Sequence, residues 1–162
     1  MLVEAMDALP AVVHDRHLTV IGANRLASAV CPAFAVGVNF ARSAFLDESV
    51  PHAEPSWPAL AEHVAASLRL ALDRHEADEE FRLVVGELSA QSRQFSAVFA
   101  DESAVQHGSG TWVFRLEGRP PMTLAFHRLA VPGADDDTLL VWRPADPESG
   151  RMLAEVAAGL PR

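Results

Sequence analysis

The chain has 162 residues, 49% of them hydrophobic and 22% charged, a size and balance that build one domain with its own core and no need of disulfide or metal staples. Its formal net charge is −9, which argues against a nucleic-acid backbone as the partner of this segment. All 13 basic residues are Arg, and the lack of Lys excludes Schiff-base chemistry, a P-loop and a Ser–Lys dyad.

Residues 2–9 (LVEAMDAL) read as a short helix or a connector from something upstream. Glu4 and Asp7 stand where a signal peptide needs positive charge, and no apolar run reaches membrane-spanning length, so a soluble cytoplasmic protein is expected. Ala11 to His14 predicts a strand, Asp15-Arg16-His17 a tight turn, and Leu18 to Ala23 a second strand. Asn24 is a good N-cap for a helix over 25–30, which Pro32 ends. Cys31, the only cysteine, reads as a small buried residue. That second strand thins into Gly22 and Ala23, two of the smallest side chains, which leaves a space to be filled by collapsing neighbours such as Trp112 or Trp142, or kept open for a ligand.

The middle third is helical. Phe40, Phe45 and Leu46 mark an apolar segment ending near Asp47. Ser56 is placed to cap a long helix with Trp57, Leu60, Val64, Leu68 and Leu72 on one stripe. Phe81, Val84, Val85 and Leu88 mark a further helix, and Ser89 and Ser92 offer a break and a fresh N-cap before a stripe of Phe95, Val98 and Phe99. The period then changes to strands over 111–116, 122–131 and 138–143, separated by turns at Gly118-Arg119-Pro120-Pro121 and Pro132 to Asp137, before a closing helix over 147–160. Strands grouped at both ends with helices between them predict an α+β fold with a five-stranded antiparallel sheet and a helical layer over one face.

A space between such layers suits a small ligand. The candidate lining is Phe40, Arg42, Phe45, Leu72, Leu88, Phe95, Phe99, Phe114, Leu124, Phe126 and Trp142, each of which is otherwise an ordinary core or surface residue. Arg42, Arg115 and Arg128 are the candidates for pairing with a ligand carboxylate, and Arg42 leads because Phe40 and Phe45 flank it. His14 and His17 flank a turn with no third ligand placed near them, so no metal is expected. Ser109 precedes a strand and lacks the elbow of a nucleophilic serine. Asp135-Asp136-Asp137 lacks the spacing of a calcium loop and reads as a solvated turn.

Several segments, in order along the chain, resemble a known family. DALPAVVHDRHLTVIGANRLA (7–27) is similar to the opening of a PAS fold, and more closely to the ligand-binding domain of MmyB-like transcription regulators. NFARSAFLDES (39–49), GELSAQSRQF (86–95), and the closing strands SGTWVFRL, MTLAFHRLAVP and TLLVWRPADPES continue that resemblance over nearly the whole chain. It implies a single PAS-like sensor domain over 1–162, with 2–9 joining it to an upstream helix-turn-helix DNA-binding domain of the XRE type. The same resemblance leads one to expect that the upstream domain is missing from this chain, with removal favoured over original lack. It also implies a non-enzymatic role, a fatty-acid-like or other apolar small molecule as partner, no cofactor, DNA contacted only through the missing domain, no membrane, and a homodimer as one option. The alternative on the same fold is a ligand-free dimerisation or interaction module, and an enzyme on an open α+β barrel ranks third for want of an acid–base pair.

The sequence departs from the family pattern where Ala23 replaces a Trp, Phe126 a Tyr, Phe99 a Trp and Glu102 a His, and where Leu116 to Pro120 replaces a His-Pro…Gly turn. Those changes imply a pocket of altered shape and lower polarity.

Overall fold

In a computed structural model, residues 2–48, 56–75, 77–134 and 136–160 are described. Five strands, β1 (Ala11–His14), β2 (Val20–Ala23), β3 (Ser109–Phe114), β4 (Met122–Ala130) and β5 (Thr138–Pro144), form one antiparallel sheet in the order β2-β1-β5-β4-β3. The helices are α1 (Arg25–Val30), α2 (Phe40–Leu46), α3 (Trp57–Arg74), α4 (Glu79–Gln91), α5 (Arg93–Ala100) and α6 (Pro147–Ala158), with 3-10 turns at Leu2–Ala5 and Pro32–Phe34. The expected α+β architecture is therefore present.

Strand alternation decides which face is covered. Val12, Leu124, Phe126, Leu140 and Trp142 point one way and join Leu26, Val30, Phe34, Phe114, Leu153 and Val156 in a buried cluster. Trp142 stacks on Phe34 with ring centroids 5.5 Å apart and meets the Phe114 edge at 5.2 Å. A second cluster, Phe45, Trp57, Val64, Leu68, Phe81, Leu88 and Phe95, lies among α2 to α5. The other sheet face carries a smaller cluster of Val3, Ala11 and Val13, so the 3-10 turn at Leu2–Ala5 packs across the back of β1 and β5.

Two buried asparagines tie helices to the sheet. Asn24 caps α1 by accepting from the Ala27 N–H at 2.8 Å, and the same oxygen accepts from Ala11 N–H at 3.2 Å while its amide donates to the carbonyls of Leu9 and Met6. Asn39 caps α2 by accepting from Ala41 and Arg42 N–H, both at 3.1 Å, and donates to the His17 carbonyl at 2.7 Å.

The structure departs from expectation at β2, at β3 and at the start of α3. β2 begins at Val20, because Leu18 has a φ of 66° and belongs to the turn, whose Asp15 carboxylate accepts from His17 and Thr19 N–H, both at 2.9 Å. A left-handed Leu is costly, and its burial to 4% exposure in the helical cluster offsets that cost. β3 runs over 109–114 rather than 111–116: Gly110 lets the Phe126 ring close in, since a Cβ there would sit 2.8 Å from Cε1, and the Gly118 turn (φ 71°) removes Leu116 from the ladder. Ser56 does not cap α3 with its side chain; its backbone is already helical, and its hydroxyl faces the Val113 N–H at 3.5 Å.

The acidic turn is also more than a solvated loop. Asp136 accepts from His75 at 2.6 Å and Arg74 at 3.2 Å, joining the end of α3 to the β4–β5 hairpin; Asp135 lies outside the described residues. A second His–Asp contact, His17 to Asp78 at 3.0 Å, joins the β1–β2 turn to the N-cap of α4, and Phe81 packs against the rings of both His17 and His75.

Candidate functional site

A cleft of about 420 Å³ lies where the sheet cluster and the helical cluster meet. One wall is His14, Trp112, Val113, Phe114 and Leu140 from the sheet, and the other is Phe40, Ala44, Trp57, Leu60, His63 and Val64 from α2 and α3. Val30 to Phe34, from the end of α1 and the 3-10 turn, closes a third side, and Leu18 reaches it from the β1–β2 turn. That volume falls within the usual range for a small-molecule site.

Most of the walls are apolar because each element offers the stripe it would otherwise bury. On α3, Trp57, Leu60 and Val64 face the cleft, whereas Leu68, one turn further on, is fully buried in the helical cluster. Gly22 and Ala23 are not part of the lining; Ala23 packs against the sheet cluster, so the space beside that strand end is closed by the protein's own side chains. The cleft sits instead against β1, β3 and β5.

Besides Ser43 and Ser56, the polar lining residues fall into two sets. Asp47 and Arg115 are exposed, while His14 and His63 are 5% and 6% exposed. His14 extends from β1 with its ring edge on Phe40 (5.5 Å) and Nδ1 2.8 Å from the Asp15 carbonyl oxygen. His63, on α3, packs against Trp112 (6.1 Å) and Phe126 (5.2 Å), and its ring makes no hydrogen bond among the described residues. Burial pushes the His63 pKa down to about 4, with Arg128, His14 and His107 nearby pressing the same way. Burial lowers that of His14 too, against the opposing effect of the Asp15 carbonyl. Both imidazoles are neutral at physiological pH. Burial pushes the Cys31 thiol up, so it is a protonated wall residue.

Of the residues singled out from sequence, Phe40 and Phe114 line the cleft. Leu124, Phe126 and Trp142 are inside the sheet cluster. Phe45, Leu88 and Phe95 are inside the helical cluster, with Leu72 and Phe99 at its margin. Arg42 points outward and pairs with Glu87 at 2.7 Å, so it does not reach the cleft. Of the other two arginines, Arg115 borders the cleft and Arg128 donates to Thr138 Oγ1 at 3.3 Å beside a separate polar niche of about 30 Å³.

Sequence reasoning missed His14, His63, Trp57, Trp112 and the Val30 to Phe34 segment as lining. His14 had a legible signal, since it shares strand parity with Val12 and must face the helices. His63, in the run VAAS-preceding stretch Ala61-Glu62-His63-Val64, sits beside the buried stripe of α3 and was equally open to that argument.

A search among curated proteins finds no match. The family model for the MmyB-like transcription regulator ligand binding domain matches residues 1–156. With an apolar cleft between its sheet and helices and a match over all but the last few residues, the chain belongs to the MmyB-like transcription regulator ligand binding domain family.

Proposed function

We propose that this chain is the non-enzymatic sensing domain of a cytoplasmic bacterial helix-turn-helix regulator of the XRE type, and that it binds an apolar, fatty-acid-like molecule in the cleft. The observation that carries this reading is that the cleft is walled by both layers at once, β1, β3 and β5 on one side and α2 and α3 on the other. An occupant touching both layers favours whichever arrangement of helices against sheet gives it more contact, and it shifts the equilibrium by that difference in affinity alone. A DNA-binding domain attached upstream of residues 2–9 then receives the change through the turn that packs on the back of β1 and β5.

The test is lipid extraction of the purified chain followed by mass spectrometry, together with thermal melts against a panel of medium- and long-chain lipids. A panel member present at about 100 times its dissociation constant stabilises the fold by roughly 2.7 kcal/mol. Leu60→Trp, which places an indole in the cleft from a half-buried position, should abolish that shift while the apo melt stays close to wild type. No co-purifying molecule and no stabilisation by any panel member would refute the reading.

A second reading, self-association, draws on the sheet face away from the helices. Leu129 there is 50% exposed and lies opposite Leu139. Sedimentation of the wild type and of Leu129→Glu distinguishes it: a dimer that dissociates in the variant supports it.

A further inference from the structure

We propose that His14 and His63 form the polar end of the cleft, and that its ligand is an amphipathic molecule whose uncharged head both donates and accepts a hydrogen bond, as an alcohol does, in preference to a free carboxylate. This rests on the reading of the cleft as an apolar-ligand site and specifies the chemistry of the head group.

The tautomer of His14 follows from its partner. The Asp15 carbonyl oxygen, 2.8 Å from Nδ1, can only accept, so Nδ1 carries the hydrogen and Nε2 is left as an acceptor. No described side chain donates to that nitrogen. The imidazole of His63 holds one donor and one acceptor in its neutral form, and its Nδ1 is buried with no hydrogen-bond partner among the described residues. Its ring neighbours, Trp112 and Phe126, supply packing only.

Buried polar groups in native proteins are nearly always hydrogen-bonded, so the partnerless Nδ1 of His63, together with the open acceptor of His14, is a recognition feature awaiting its complement. They approach it from opposite layers, His14 from β1 and His63 from α3. A hydroxyl offers its hydrogen to His14 Nε2 and its lone pairs to the N–H of His63. A carboxylate has no hydrogen to offer His14, and two neutral imidazoles carry no counter-charge for it; Arg128, whose charge presses on both rings, donates to Thr138 Oγ1 and lines the separate polar niche, not the cleft. The cleft's charged residues, Asp47 and Arg115, are both on the exposed side. The lowered proton affinity of both histidines keeps this donor–acceptor pattern fixed at neutral pH.

Three probes with the same tail separate the possibilities by calorimetric titration of the full chain at neutral pH: decanol, methyl decanoate and decanoate. Decanol donates and accepts, the ester only accepts, and decanoate accepts with a charge. Decanol is expected to bind at least about tenfold tighter than either of the others, the increment of one neutral hydrogen bond. His14→Phe should erase that preference while leaving the ester's affinity unchanged, His14→Gln, which keeps an acceptor, should restore part of it, and His63→Phe should weaken decanol and the ester alike. Equal affinities, as when an ordered water already satisfies both rings, or decanoate binding tightest with dependence on Arg115, would overturn the head-group assignment and leave the apolar cleft standing. Failure of all three probes to bind would overturn both. If the His14 variants do not fold by circular dichroism, the wild-type series decides alone.

Discussion

The two hydrophobic clusters are built from the same kinds of side chain and each closes on itself, whereas the seam between them does not. Around Trp142, strand alternation and α1, the 3-10 turn and α6 close the packing on all sides, and Trp142, Leu124 and Val12 are fully buried. Around Phe95, helix stripes from α2 to α5 do the same for Phe81, Leu68 and Leu88. Phe40 packs against both clusters, and the cleft lies at that junction. A sheet presents residues at period two and a helix at period 3.6, so two such surfaces fill themselves better than they fill each other. The seam also holds the two buried histidines, His14 and His63.

The sharpest way to break that contrast is to cut one core at a time. Trp142→Ala and Phe95→Ala should each cost about 3–5 kcal/mol in urea denaturation, the usual penalty for emptying a buried aromatic site. Neither residue lines the cleft, so any variant that still folds should keep the wild-type affinity for decanol. A matching loss of affinity in Phe95→Ala would mean that the helical cluster, and not the seam, receives the ligand.

Acid should act on the seam first. His63 has a pKa of about 4 in the fold against 6.5 when unperturbed. Between those two values the unfolded chain takes up a proton that the folded chain refuses. Stability is therefore complete above the upper value and falls as the pH drops toward the lower one, by on the order of 3 kcal/mol from this residue. His14 is shifted in the same direction and adds to the loss. Asp101, Asp136 and Asp146 are held below 3.8 and so lose their contribution only at lower pH. Denaturation midpoints across this range, with His63→Phe flattening the slope, check it.

Smaller effects separate framework from site. Asn24→Ala removes the cap of α1 and the bond to Ala11 N–H together, and should cost about 2 kcal/mol by urea denaturation. Arg42→Ala breaks only a surface pair with Glu87, and should change stability by less than about 1 kcal/mol and decanol affinity not at all.

How much of this was legible in the sequence depended on how local the signal was. Strands such as Ala11 to His14 and the long one that begins at Met122, the Asn24 cap, and the change of period ahead of Thr111 rest on nearest neighbours, and all were readable. The β2 start was missed because Leu18 takes a backbone conformation its side chain disfavours, for the sake of a core contact far away in sequence. The cleft lining was the least legible part. Phe40 and Phe95 look alike in a sequence, and only the packing of two layers decides that one borders a space and the other fills one. The family match over 1–156 supplied what periodicity does not, a reason to look for a ligand at all.

The most direct test of the central claim is amide chemical-shift mapping of the isotope-labelled chain titrated with decanol. The account predicts perturbations concentrated at Val30 to Phe34, Phe40 to Ala44, Trp57 to Val64 and Trp112 to Arg115, with Leu88, Phe95 and Phe99 silent. Perturbations centred on α4 and α5, with the seam unchanged, would contradict it.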